Sequence, residues 1–324
     1  MVDAAQQDLR SDRLPLAVLS NSRLSPAINW TTLGPPLLEA LACRAGSRLV
    51  SPPPPSLSER SAWFSALRQV RGAKTIFWMQ SASRPELPLW GLSASRPRAR
   101  KAAFVIDPFQ PLLTKIGILA VAQRLDPCYI SYREACEELH RRFPRGRFEW
   151  LPFGIDTNVF RPGEEERDVF AYWMGRRDEP LHRALLAYCT ERGLEYRYTQ
   201  RGGEFSDPQD LGALVRRCRY FVVTPPNASR TGGYSPLVMR YLEGLAGGAR
   251  LLGLLPRSGE FEQLLPRGAI CEVSADGSDL AERLDRDVVN AEAWRVTEQA
   301  SEIVRSEHSW DRRAQLIYER LVGE

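Results

Sequence analysis

The sequence predicts an α/β chain of two doubly wound domains in tandem, each with a parallel sheet. Three observations carry this. Short apolar runs alternate with helix-like stretches, the pattern of strand–helix–strand units. The alternation breaks at "FGIDTNVFRPGEEER" (153–167), rich in Gly, Pro and charge, and then restarts. The chain has 324 residues, which suits two cores of about 150 residues better than one.

The elements follow in order. "LPLAVLSN" reads as a first strand. "LGPPLLEALACRAG" reads as a helix with prolines in its first turn and glycine past its end. "KTIFWMQ", "KAAFVID" and "PCYISY" are buried strands. The helices between them are "SERSAWFSALRQV", "PLLTKIGILAVAQRL" and "REACEELHRRF", the last with i,i+4 charge pairs. After the break, "DVFAYWMG", "EYRYT", "RYFVVTPP", "ARLLGLL" and "AICEVS" are strands. "PLHRALLAYCTERG" and "DPQDLGALVRRC" are helices, the second opened by Asp207 and Pro208. "SPPPPS" (51–56) is a rigid loop. Ligands of such sheets bind beyond the carboxyl ends of the strands, so a cleft between the two domains is the expected pocket.

Composition excludes several classes. A net charge of +4 does not argue for nucleic acid. The six cysteines form no C-x-x-C pair and no zinc-spaced cluster, so they read as reduced thiols of a cytosolic protein. "MVDAAQQDLRSDR" lacks the apolar region of a signal peptide. The longest apolar run, "IGILAVA", is too short to span a bilayer. The sequons at Asn29 and Asn227 are then coincidental.

The richest stretch is "TGGYSPLVMRYLEGLAGGARLLG" (231–253). It follows a strand exit. Gly232 and Gly233 let backbone approach a ligand. Pro236 fits the first turn of the helix that follows, whose free amides and dipole favour a phosphate. Glu243, on the third turn, is placed to accept two hydroxyls of a ribose. A nucleoside diphosphate matches both features. The plain alternative is helix punctuation with a solvated glutamate.

This stretch resembles the donor domain of retaining GT-B glycosyltransferases of the family-four type, near the spore-protein-like branch. "LPFGIDTNVFRP" (151–162) resembles the family's interdomain segment. "FAYWMGRRDEPLHRALL" resembles its opening G-R strand, and "SWDRRAQLIYERL" its closing helix. The resemblance implies two Rossmann-like domains facing a cleft: 1–160 on the acceptor side, 161–305 binding nucleotide-sugar, and 306–324 a helix crossing back to the first. It implies a hinge at Gly154–Gly163.

It also implies transfer of a sugar from an NDP-sugar to a glycan, lipid-linked or small-molecule acceptor, with retention and no metal or other cofactor. Arg176 then meets the diphosphate. The family's following lysine is absent, and Arg177 or Arg183 stands in for it. Glu243 matches the second carboxylate of an E-x7-E pair. Ser235 occupies the first carboxylate's place, where the amides around Gly232, Gly233, Tyr234, Ser235 and Leu237 take up the donor instead. Asp107, ending the "FVID" strand, faces the transferred sugar in a catalytic role, with a helix N-cap as its alternative. Gly34 is the close-approach residue of a loop over the cleft. None of His140, His182 and His308 matches a family site.

The segment 93–104 gathers Arg96, Arg98, Arg100 and Lys101 before a strand. It meets an anionic acceptor or the inner face of a membrane, or is a solvated loop. Trp30, Trp78 and Trp90 are core or sugar-stacking residues. Ser235 and the missing lysine leave a non-catalytic glycan- or partner-binding protein as the alternative. The scarcity of histidine argues against a nucleotide-sugar epimerase, and no G-x-G-x-x-G follows the first strand for a dehydrogenase.

Overall fold

The computed structural model describes residues 15–20, 34–51, 60–83, 87–199, 205 and 207–323. It divides into two compact units. One holds the residues up to Leu151 from Gly34, with β1 before them and Ala314 onward after them; the other holds Pro152–Arg313.

The first unit carries β1 (Leu16–Leu19), β2 (Ser47–Val50), β3 (Thr75–Ser81), β4 (Arg100–Ile106), β5 (Leu125–Ile130) and β6 (Phe148–Trp150), in the order β2-β1-β3-β4-β5-β6. Every pairing is parallel. All residues of β1 and β3 are buried, as expected for strands covered on both faces. The helices are α1 (Pro35–Ala42), α2 (Arg60–Val70), α3 (Leu87–Ala94), α4 (Leu113–Gln123) and α5 (Arg133–Arg142). Trp78 and Trp90 meet edge to face at 5.2 Å, and both indoles donate to Gln80 Oε1. They are core residues. Trp30 lies outside the described residues.

Two basic residues of the 93–104 segment need correction. Arg100 and Lys101 belong to β4 and serve the fold. Arg100 donates to Asp126 O at 2.9 Å and to Arg320 O at 3.0 Å. Lys101 is buried and donates to Gln123 Oε1. Burial, then Arg124, lowers its ammonium pKa. Arg96 and Arg98 are the rest of the cluster. No described helix is long and apolar enough to cross a membrane.

The second unit carries β7 (Val169–Trp173), β8 (Tyr196–Tyr198), β9 (Cys218–Val223), β10 (Arg250–Gly253) and β11 (Ile270–Glu272), in the order β11-β10-β9-β7-β8, again all parallel. Its helices are α6 (Glu179–Arg192), α7 (Pro208–Arg217), α8 (Ala228–Thr231), α9 (Met239–Ala246), α10 (Glu260–Leu264), α11 (Leu280–Asp287) and α12 (Ala291–Glu307). Asp178 and Asp207 cap α6 and α7 with their side chains. Phe170, Trp173, Leu185, Tyr220 and Leu284 fill one core. Arg250 is buried and makes a two-pronged pair with Asp287, with further bonds to Gly268 O, Ala293 O and Thr297 Oγ1. A buried guanidinium this fully satisfied fixes α11 and α12 to the sheet.

The last helix, α13 (Trp310–Val322), starts in the second unit. There Ile155 N donates to His308 O and Trp310 N to Ile155 O. A Cβ on Gly154 would meet the Trp310 ring at 2.4 Å. Arg313, buried, donates to Pro152 O and Glu307 O and lies 2.5 Å from His308 Nδ1. Burial, then Arg313, holds the His308 pKa down to about 4, so its ring is a neutral acceptor. The start of the segment read as a hinge is thus pinned. From Ala314 on, the helix groups with the first unit: Tyr318 donates to Ala45 O at 2.7 Å, and Arg320 pairs with Glu149 at 3.4 Å.

Candidate functional site

Read from its first strand, each sheet has the order 2-1-3-4-5, extended by β6 in the first unit. The chain reverses direction across the sheet between first and third strands, and the crevice beyond their carboxyl ends is the natural ligand site. In the second unit that crevice lies beyond β7 and β9. The exit of β7 is Met174, Gly175 and Arg176, fixed where the Trp173 indole donates to Arg176 O at 3.1 Å.

The glycine pair does not sit where the sequence placed it. Asn227 caps Ser229 and starts the short helix α8, which Gly232 ends at φ +71. Gly233 follows at φ +98, exposed, with open space where a Cβ would lie. Residues 234–238 are not helical, and α9 begins only at Met239 with Val238 as its cap. Pro236 is therefore outside the helix, and Glu243 is on its second turn. The cause is hydrogen bonding that a reading of local sequence does not see. Thr231 Oγ1 donates to Tyr234 O; Ser235 Oγ accepts from Arg257 N and Ser235 O from Ser258 N. Leu237 N donates to the buried Glu260 carboxylate at 2.5 Å. The Leu237 amide is thus committed within the fold, and the first-turn cradle loses that donor; Ser235 is held through its oxygens as acceptors.

Glu243 is buried, and its Oε2 has no hydrogen-bond partner among the described residues. Burial raises its pKa to about 7, against the pull of Arg240. Arg240 lies one turn earlier and makes no hydrogen bond or ion pair among the described residues. Its guanidinium lies over Gly175: a Cβ there would be 2.5 Å from Nη2. Burial, despite the opposing field of Glu243, lowers the Arg240 pKa, and Arg176 lowers it further. Gly175, at φ +86, is thus the close-approach glycine of this site.

Arg177 turns elsewhere. It stacks over Tyr198 at 4.6 Å and lies 3.3 Å from His182 Nε2, on the β8 side of β7. Arg183 is exposed on α6. Arg176 stays next to Gly175 at the exit of β7, and its charge acts on Arg240, which lies beside Glu243. Sequence reading missed Arg240, because an arginine on an amphipathic helix reads as solvated. Its i,i+3 spacing from Glu243 was the available signal.

In the first unit, Asp107 follows β4 at φ +52, an uncommon conformation for a residue with a side chain. Its Oδ1 accepts from the buried Tyr132 hydroxyl at 2.6 Å. It caps no helix: Phe109 and Leu112 hold the two cap positions that follow. Gly34 is the cap of α1 at φ −89, ahead of Pro35 and Pro36. Most of the loop before it lies outside the described residues. Among the described residues, no group of His, Cys, Asp and Glu is arranged to hold a metal.

Two guanidiniums, a close-approach glycine and a buried acid with an open acceptor make a site for an anion joined to hydroxyls. A family model described as "Glycosyl transferase-like" matches residues 173–319, which include the whole of this site. No curated protein matches by sequence. Sucrose-phosphate synthase from Thermosynechococcus elongatus has a similar fold, with 13% identity, TM-score 0.58, and 95% of this chain and 98% of that one covered. HepE of Anabaena, solved with UDP and glucose, has 12% identity, TM-score 0.59, and 96% and 100% covered. The same protein with UDP-glucose gives TM-score 0.60 at 12% identity, with the same coverage. The chain is therefore an α/β protein of GT-B type, with two Rossmann-like parallel sheets and a second unit similar to glycosyl transferase-like proteins.

Proposed function

We propose that the chain is a glycosyltransferase that moves a sugar from a nucleoside-diphosphate donor to an acceptor, with retention of configuration and without a metal. One observation carries this: Arg240 lies one turn from the buried Glu243 with its guanidinium over Gly175 at the exit of β7, and Arg176 follows Gly175 in that same exit. A diphosphate on the two guanidiniums has its charge met by fork-shaped donors, which also stabilise it as a leaving group. A ribose diol supplies the donors that Glu243 lacks. HepE, similar in fold, was solved with UDP-glucose. The first unit takes the acceptor, with Asp107 as its carboxylate. Tyr132 positions that carboxylate.

Calorimetric titration with UDP, GDP, ADP and dTDP tests this. One of them binds, and Glu243→Ala weakens that binding roughly tenfold or more for the lost charged hydrogen bonds. Equal binding by parent and variant overturns the assignment of the site. Product analysis with the corresponding NDP-sugar then reads the anomeric outcome.

A further inference from the structure

We infer that nucleotide binding at Glu243 is linked to a proton: the carboxyl holds one in the empty protein and releases it when a ribose diol binds. This rests on the nucleotide reading above.

The surroundings of Glu243 carry the first half. Its Oε2 is buried without a donor among the described residues. Among the described residues, the elements packed on α9 bring it no counter-charge. The buried residues of α12 include Ala293, Thr297, Ala300 and Ser301, none of them ionised. On β9, the Tyr220 hydroxyl is given to Asp287, and the buried Cys218 thiol is pushed up to about 12. On β10, Arg250 is spent on that same Asp287. Tyr241 on α9 itself donates to Leu254 O. Among the described residues Arg240 alone acts on Glu243, without a hydrogen bond, and its pull does not outweigh burial. Arg240 is in turn opposed by Arg176 and near Tyr172. An ionised carboxylate without a donor is costly in such a place, and a proton is the cheaper way to neutralise it.

The ligand carries the second half. Two ribose hydroxyls donating to the carboxyl favour its charged form. A diphosphate on Arg240 acts the other way, by cancelling the nearby cation. Contact hydrogen bonds outweigh that field, because Arg240 does not itself touch the carboxyl. The balance is simple. The O–H bond of Glu243 breaks, the proton leaves to solvent, and the carboxylate accepts from the two hydroxyls.

The experiment is titration calorimetry with the nucleotide that binds, in buffers of different ionisation enthalpy. With a carboxyl titrating at about 7, roughly half a proton leaves per nucleotide at pH 7, about one at pH 6 and almost none at pH 9. Affinity falls up to about tenfold per pH unit below pH 6. The 2′-deoxy nucleotide releases less. Identical heats in every buffer overturn the inference and leave the nucleotide reading standing. Failure of all four nucleotides to bind overturns both the reading and the release step.

A ligand-free measurement then decides the resting proton. In protein labelled with carbon-13 at the glutamate carboxyl, one glutamate titrates near neutral pH, and Glu243→Gln removes that signal. Its absence from the parent overturns the resting proton, whether or not the variant folds.

Discussion

Two candidate site carboxylates, Asp107 in the first unit and Glu243 in the second, are held in opposite ways. Asp107 sits at the end of β4 with a phenol donating to it at 2.6 Å, on backbone of a kind that few residues with side chains adopt. Glu243 sits on helix, buried, with an oxygen that has no hydrogen-bond partner among the described residues. The first acid has its orientation fixed and its acceptor used. The second has its place fixed and its acceptor open. A carboxylate held by a donor is ready to act, whereas one left without a donor is ready to bind.

The largest effect expected is on transfer. Asp107→Asn keeps the shape of the strand end but removes the charge. It should lower the transfer rate by about 10²–10⁴-fold, as for loss of a general base or charged catalytic group, with nucleotide affinity unchanged. If transfer survives intact, the two acids do not divide the work between them.

Next is stability. Folded Glu243 titrates at about 7, against an ordinary 4.5. Between these values the folded protein holds the extra proton, so stability falls as pH rises through that window. Above pH 7 the parent carries the whole cost. Glu243→Gln should therefore stabilise the protein at pH 8 by about 3 kcal/mol, and by little at pH 4. Urea melts at both pH values measure this. The same variant should bind nucleotide worse, so stability and function pull apart at this residue.

Arg240→Ala comes third. It should weaken a nucleoside diphosphate about 10- to 100-fold, for a charged hydrogen bond worth roughly 1.5–3 kcal/mol, and a nucleoside much less. Arg177→Ala, on the β8 side, should leave both affinities alone. Titration of all four pairs separates the two arginines.

The smallest effect is at the support. Tyr132→Phe should cost about 1 kcal/mol of stability for its hydrogen bond. It should lower the transfer rate, while nucleotide affinity stays at the parent's value.

Sequence reading succeeded where burial alone decides. The runs that became β3, β4, β7 and β9 are mostly apolar and mostly buried because both sheet faces are covered. It missed β2, whose Arg48 and Leu49 are exposed at the sheet edge, and the three-residue β6. Neither has a periodicity to find. At the site, Glu243 and Arg176 were legible because their residue types are informative in that order. The start of α9 was not. It is set by Glu260 gripping Leu237 from 23 residues away, and by Arg257 and Ser258 holding Ser235. Arg240 became visible only once Gly175 was seen beneath it.

The sharing of α13 bears on how the chain is made. Tyr318 bonds to a carbonyl 273 residues earlier, and Arg320 accepts from Arg100 220 residues earlier. The residues of the second unit from Pro152 to Arg313 form one continuous stretch. During synthesis at about 5–20 residues per second, Ala45 waits roughly 14–55 s for its partner. A ribosome thus delivers the later unit's stretch whole while the earlier unit still lacks part of its helical cover. The last part of the amino-terminal unit is thus made after the whole Pro152–Arg313 stretch. The sites that wait for α13, the Ala45 carbonyl, Arg100 and Glu149, are where a chaperone has most time to act on the nascent chain.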